Sequence, residues 1–357
     1  MAGLYVHIPF CKKRCLYCDF FSTTLLARRT EYVEAVVKEI ETRRDEVGTI
    51  RTVYLGGGTP SVLETEDIQR ILEAIGTEHA SEITMELNPG DATASYLREL
   101  RQAGINRLSI GIQSFQDELL SRIGRRHDAK QAMAAVKLAQ EAGFDNLSID
   151  LMYALPTQTM AQWQTDIETA LTLNVQHISS YGLMYEDGTA LTRQLESGAI
   201  EAVDEQTENA MYDYLCTRLQ QAGFVHYEVS NFALPGYEAR HNSSYWDDTP
   251  YIGIGAGAHS YNGSVRSWNP DDLDAYICGI QAGTLQREQE ILTDTDRHNE
   301  RIMLGLRTNR GISRALVNES ARTHIQAGRL RETEDGRLVA TQEGLHILNR
   351  IIEDLMI

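Results

Sequence analysis

Six short apolar runs, at 4–8, 52–55, 83–87, 107–112, 147–151 and 177–184, are separated by stretches with helical apolar spacing. The intervening stretches carry apolar residues three and four apart, as in Tyr32, Val33, Val36, Val37 and Ile40, or Ile68, Ile71, Leu72 and Ile75. Further helices are predicted around Tyr96, Leu97 and Leu100, and over 129–142 and 160–173. Strand alternating with helix implies a parallel sheet, because a parallel neighbour is reached only by a crossover. Right-handed crossovers curl such a sheet into an open or closed barrel. A doubly wound open sheet fits the same periodicity. In either architecture, ligand-binding groups gather beyond the C-terminal ends of the strands.

Beyond residue 200 the rhythm changes. A helix is predicted over 205–221 and a strand over 224–229, followed by a long loop over 231–268 rich in aromatics, Gly, His and Asn. Loops of that length are functional or disordered, and the aromatics argue against disorder. From about 270 the chain reads as helical again, then as a hairpin over 329–339 with Asp335-Gly336 at its turn, then as a last helix. Three segments follow: a barrel over 1–200, an extension over 201–269, and a small domain resembling a winged helix over 270–357.

At 357 residues, with 42% hydrophobic and 24% charged side chains, the chain has the composition of an ordinary globular protein. Its formal charge of −18 argues against nucleic acid as a partner, because phosphate binding needs a clustered positive field. No apolar run approaches a membrane span, and the start lacks a secretory pattern. Cys216 and Cys278 stand alone in apolar-periodic surroundings and are expected to be buried free thiols in helices. A reducing compartment, the cytoplasm, is the expected location.

The other three cysteines fall within eight residues: Cys11, Cys15 and Cys18, spaced C-x3-C-x2-C just after the first predicted strand. Three thiolates on one loop suit a soft metal centre, and an odd number cannot all pair as disulfides. A four-iron cluster normally takes four cysteines, so three leave one iron open to a small molecule. Lys12, Lys13 and Arg14 lie between the ligands, where positive charge offsets that of the cluster. A Cys3His zinc site using His7 is the alternative by ligand type.

Downstream, polar groups recur at predicted strand ends. Gly56-Gly-Gly-Thr-Pro60 follows the second strand, where backbone without Cβ lets a ligand approach. Glu86, Gln113 and Asp150 sit at or just after successive strands, placed to orient a ribose or an amino group. Arg125 is a natural bidentate partner for a carboxylate, although its spacing also fits a helix surface.

Tyr5-x-His-Ile-Pro-Phe-Cys, Gly-Gly-Gly-Thr-Pro, Met-Glu-x-Asn-Pro, Ser-Ile-Gly-Ile-Gln-Ser-Phe and Ile-Asp-Leu-Met closely resemble the HemN/HemW branch of the radical S-adenosylmethionine (SAM) superfamily. The likeness covers nearly the whole chain. It implies an open (β/α)6 partial TIM barrel with a C-terminal HemN-type domain. It implies a 4Fe-4S cluster on Cys11, Cys15 and Cys18, with SAM chelating the fourth iron. It also implies SAM contacts from Tyr5, Gly57, Gly58, Thr59, Glu86, Gln113, Arg125 and Asp150.

Within that branch, HemN-type proteins are oxygen-independent coproporphyrinogen III oxidases, which use a 5′-deoxyadenosyl radical to decarboxylate two propionates. HemW-type proteins are haem chaperones that bind haem and hand it to acceptor haemoproteins. HemN-type chains carry a further cysteine two residues past the third ligand, where this chain has Phe20, and a longer N-terminal segment before the first strand. Arg240-His241-Asn242-Ser-Ser-Tyr245-Trp246 matches the HNxxYW motif of HemW-like chains. Imidazole is a common axial ligand of haem, and Tyr and Trp offer flat apolar contact. His241, Tyr245 and Trp246 are therefore the candidate haem residues, with His259 a second candidate in the same loop; a packed structural loop is the competing reading. The expected function is haem binding and transfer, with porphyrinogen oxidation as the alternative and enzymatic turnover left open. Also left open are dimerisation of the loaded form, the identity of the acceptor, and transient contact with membrane haemoproteins.

Overall fold

The computed structural model describes residues 2–317 and 319–357. Six parallel strands form the centre of a twelve-stranded sheet: β1 (Ala2–Ile8), β2 (Ile50–Gly57), β3 (Glu82–Leu87), β4 (Arg107–Gln113), β5 (Leu147–Tyr153) and β6 (His177–Gly182). They are adjacent in chain order, and each crossover carries helix: α1 (Arg29–Arg43), α2 (Thr65–Ile75), α3 (Ala94–Ala103), α4 (Asp117–Arg122), α5 (Ala129–Glu141) and α6 (Met160–Thr172). All six expected strands are present within a few residues of their predicted bounds. The sheet is open: further strands extend both sides instead of joining.

Period-two alternation gives the sheet two unlike faces. Leu4, Val6 and Ile8, Val53 and Leu55, Leu108, Ile110 and Ile112, and Leu147, Ile149 and Leu151 are essentially unexposed and pack in the main apolar core. The helices meet them with their own apolar stripes, such as Ile68, Ile71, Leu72 and Ile75 on α2. Each such residue fully buried contributes roughly 1.5–3 kcal/mol. The intervening positions are polar, aromatic or glycine: Tyr5 and His7, Thr52 and Tyr54, Thr84 and Glu86, Arg107 and Ser109, Ser148 and Asp150, His177 and Ser179. A closed TIM barrel fills its interior with branched apolar residues; this polar lining leaves room for a ligand.

The stretch 231–268 is not a loop. After α7 (Ala190–Glu196) and α8 (Glu205–Gln221), β7 (Val225–Glu228) and β8 (Asn231–Ala233) form a hairpin beside β6. Then come α9 (Arg240–Ser244), β9 (Tyr251–Ile254) parallel to β1, and β10 (His259–Tyr261) and β11 (Val265–Trp268), antiparallel. Four of its aromatics, Phe232, Tyr251, Tyr261 and Trp268, sit in these short strands, while four of its five glycines lie in the connections, and both together read as loop composition. Buried Glu39 of α1 ties this extension down: it accepts from Arg43 Nη1 (2.6 Å), Gly255 N (2.8 Å), Tyr276 Oη (2.7 Å) and Asn269 Nδ2 (2.8 Å).

The large sheet continues past residue 270. α10 (Leu273–Ala282) buries Tyr276 and Ile277 in the main core, and β12 (Glu288–Ile291) pairs with β11. Cys278 on α10 is exposed, because the apolar stripe of that helix turns it outward; the expectation of a buried thiol holds only for Cys216. A second core, with Ile302, Leu306, Leu338 and Ile351, joins α11 (Asp294–Leu306), α12 (Ser320–Gln326), α13 (Gln342–His346) and α14 (Leu348–Leu355) to a three-stranded sheet of β13 (Ile312–Ser313), β14 (Leu330–Glu332) and β15 (Arg337–Ala340). The expected hairpin is β14–β15, turning through Asp335-Gly336. Among the described residues, no helix is long and apolar enough to cross a membrane.

Candidate functional site

Beyond the C-terminal ends of β1 to β6 lies a cavity of about 530 Å³. Its lining includes Cys11, Cys15 and Cys18 together with Gly57, Gly58, Thr59, Glu86, Gln113, Arg125 and Asp150. These residues span 140 positions of sequence and come together because every βα loop opens on the same end of the sheet. Tyr5 is absent from the lining. It lies one layer deeper, hydrogen-bonded to His7 Nδ1 (3.0 Å) and stacked beside Tyr54.

The cysteine loop is held by its neighbours. Cys11 N donates to Thr23 O (2.8 Å), Leu16 N to Ile123 O (3.0 Å), and Cys11 Sγ lies 3.4 Å from Thr59 Oγ1. Asp91, nearly unexposed, accepts from Lys12 Nζ (2.7 Å), Arg126 Nη2 (3.0 Å) and Ser61 Oγ (3.0 Å). One carboxylate thus ties the cysteine loop to the segments after β2 and α4. Nothing in spacing marks Asp91 as special; only the fold brings its three donors together.

The glycines have a second use beyond ligand approach. A Cβ at Gly57 (φ 112°) would meet the His7 ring at 2.6 Å, and one at Gly58 would meet the Pro9 carbonyl carbon at 2.8 Å. The run therefore lets the cysteine loop cross the end of β2. Gln113, at φ 73°, closes β4 in the left-handed region, a strained setting for a non-glycine residue that turns its amide to the cavity.

Two carboxylates face this space. Glu86 accepts from Tyr54 Oη (2.9 Å) and Gly57 N (3.2 Å), and Asp150 accepts from Ser109 Oγ (2.9 Å). Burial first, and the neighbouring Asp150 charge second, raise the Glu86 carboxyl to about 7. Burial likewise raises Asp150. Two buried acids side by side favour a cationic ligand, which would restore both to their charged forms. Tyr54, Ser109 and Ser179 also line the cavity; the inward parity of the strands, counted from Glu86 and Asp150, would have found them.

Cluster and SAM fit these residues. Burial raises the Cys11 thiol and pushes Cys18 up to about 11, so thiolates here call for a metal to hold them. Arg125 donates to Cys15 Sγ (3.4 Å) and to the Gly111 carbonyl, while its buried Nε has no partner among the described residues. Among those residues no group of three His, Cys, Asp or Glu side chains is already gathered to hold a metal ion. His7 does not offer a fourth ligand to zinc, since Nδ1 faces Tyr5 and Nε2 faces the Phe21 carbonyl (2.9 Å).

The HNxxYW segment lies apart from the cavity, except for Asn242. His241 on α9 is fully buried against Gly3, with Nδ1 at 3.0 Å from Thr52 Oγ1 and Nε2 at 2.9 Å from Tyr245 Oη. It stacks on Tyr54 at 5.3 Å, and Glu82 receives the Arg240 and His241 amides at 2.9 and 2.8 Å. Burial, then the Arg107 charge, lowers its pKa to about 3, so it is a neutral ring. Trp246 is half-buried, and His259 is exposed, stacked on Trp268.

The radical SAM superfamily model matches residues 5–170. The haem chaperone HemW of Lactococcus lactis is 39% identical over 86% of this chain and 82% of its own length. HemW of Bacillus subtilis is 36% identical over 88% and 85%. The structure of coproporphyrinogen III oxidase (HemN) from Escherichia coli superposes with a TM-score of 0.85 at 24% identity, covering 99% of this chain and 89% of that one. That last likeness shows the shared fold. The chain belongs to the HemW family of the radical SAM superfamily.

Proposed function

We propose that this protein is a cytoplasmic haem chaperone, which binds haem and passes it to acceptor haemoproteins. One observation carries the choice over porphyrinogen oxidation. Phe20, 65% exposed and lining the cavity, occupies the position where HemN-type chains carry a cysteine. A phenyl ring can supply neither a thiol proton nor a thiyl, and offers apolar surface instead.

In this reading Cys11, Cys15 and Cys18 hold a 4Fe-4S cluster. The cluster would supply an open iron and an electron to bound SAM. Glu86 and Asp150 receive the cationic and hydroxyl groups of SAM, Arg125 its carboxylate, and Gly57, Gly58, Thr59 and Gln113 enclose it. Tyr5 acts from behind, through His7 and Tyr54. The cluster and SAM then serve regulation or assembly.

The test is anaerobic reconstitution followed by two assays on one sample. Haem is titrated while the Soret band is followed, and SAM with coproporphyrinogen III is assayed for decarboxylated product. Stoichiometric haem binding without decarboxylation is expected. Sustained decarboxylation would replace this reading with the oxidase one.

A further inference from the structure

We propose that haem is held at the mouth of the cavity, its macrocycle against Phe20 and Tyr181, the Met184 thioether on its iron, and its propionates on Lys13 and Arg14. This rests on the haem-binding reading above and moves the site away from His241. Large hydrophobic side chains left exposed on a globular surface are ordinarily scattered. Here Phe20 (65% exposed), Tyr181 (43%) and Met184 (70%) all line the same cavity. They reach it from opposite ends of the parallel run, Phe20 from the loop after β1, and Tyr181 and Met184 from β6 and the chain just beyond it. An apolar rim around a polar cavity fits a ligand that is flat and apolar with an anionic edge.

The iron needs an axial donor, and among the described residues no histidine lines this cavity. His241 has both ring nitrogens engaged and no exposed surface, so ligation there requires two hydrogen bonds broken and the barrel floor opened. Met184 is an exposed soft donor, and thioether sulfur is an established haem ligand. Lys13 and Arg14 line the cavity on the Phe20 side, where cations pair with propionates; Asp19 lies near them, and Glu186 beside Met184 disfavours the reverse orientation.

The cluster-loaded protein, reduced and oxidised, is titrated with haem and followed by Soret absorbance and magnetic circular dichroism. Phe20→Ala is expected to weaken binding about tenfold, and Phe20→Ala with Met184→Ala about a hundredfold. Met184→His is expected to convert the spectrum to that of histidine ligation. Both side chains are exposed, so unfolding curves from the same samples should match the parent. A double variant that binds haem like the parent, or a Met184→Leu spectrum identical to it, overturns this site while leaving haem binding intact. Absence of haem binding by the parent overturns the haem reading itself.

Discussion

At the N-terminal half of the barrel strands, His241, Glu82, Arg107 and His177 are each at most 3% exposed, whereas Phe20 and Met184 at the C-terminal end are 65% and 70% exposed. Most of the floor is hydrogen-bonded together, although the buried Arg107 Nε has no partner among the described residues. His177 bridges Ser148 Oγ (2.7 Å) and Tyr227 Oη (2.7 Å), Tyr227 receives Ala239 N (3.4 Å), and Glu82 caps the start of α9. Such a network fixes geometry, since each buried polar group left unpaired costs about 1–3 kcal/mol. The mouth has the opposite character, with apolar surface left in water and few fixed contacts. A sequence motif rich in His, Tyr and Trp is here packed away as a plug, while isolated Phe and Met residues present the exposed apolar surface at the cavity.

The comparison breaks first at the floor. His241→Ala removes a buried ring and two hydrogen bonds, and is expected to cost about 3–5 kcal/mol; chemical denaturation measures it, and a loss below about 1 kcal/mol would make the plug dispensable. Asp91→Asn is expected to cost about 1–3 kcal/mol, with loss of iron from the reconstituted protein on gel filtration. Retained iron at parental levels would mean Lys12 and Arg126 need no anchor.

The Glu86 prediction concerns pH. Its carboxyl, faced by Asp150, Tyr54, Tyr5 and Tyr245, is raised to about 7. It is neutral below that value and charged above it, so affinity for cationic SAM should rise with pH up to about 7. The expected slope is about tenfold per pH unit, flattened in Glu86→Gln. Equilibrium dialysis between pH 6 and pH 8 (roughly one unit either side of that value) reads it, and a pH-independent parent would remove Glu86 from the site. The smallest effect sharpens the contrast. Phe20→Ala should change stability by no more than about 0.5 kcal/mol, since its ring is already in water.

Much of this was legible before folding. The alternation of strand and helix located all six parallel strands, because period two and period 3.6 are read residue by residue. The three cysteines, Glu86, Gln113, Arg125 and Asp150 were legible through motif and strand-end position, and they converge on one cavity. The stretch 231–268 reads as a loop in sequence because its strands are only three or four residues long and are separated by glycine-bearing turns. Cys278 reads as buried from its apolar neighbours, but it lies off the stripe formed by Leu273, Tyr276, Ile277 and Ile280 and faces outward.

The chain by itself determined its element order, its soft-metal loop and its two-faced strands, since these depend on local spacing and side-chain chemistry. Only the tertiary structure decided which polar groups meet. Lys12, Ser61 and Arg126 converge on Asp91, His241 is closed between Thr52 and Tyr245, and Phe20 faces the same space as Met184. Those pairings cross distances of up to 189 residues along the chain. No local pattern records them, because packing brings together groups whose sequence positions are independent.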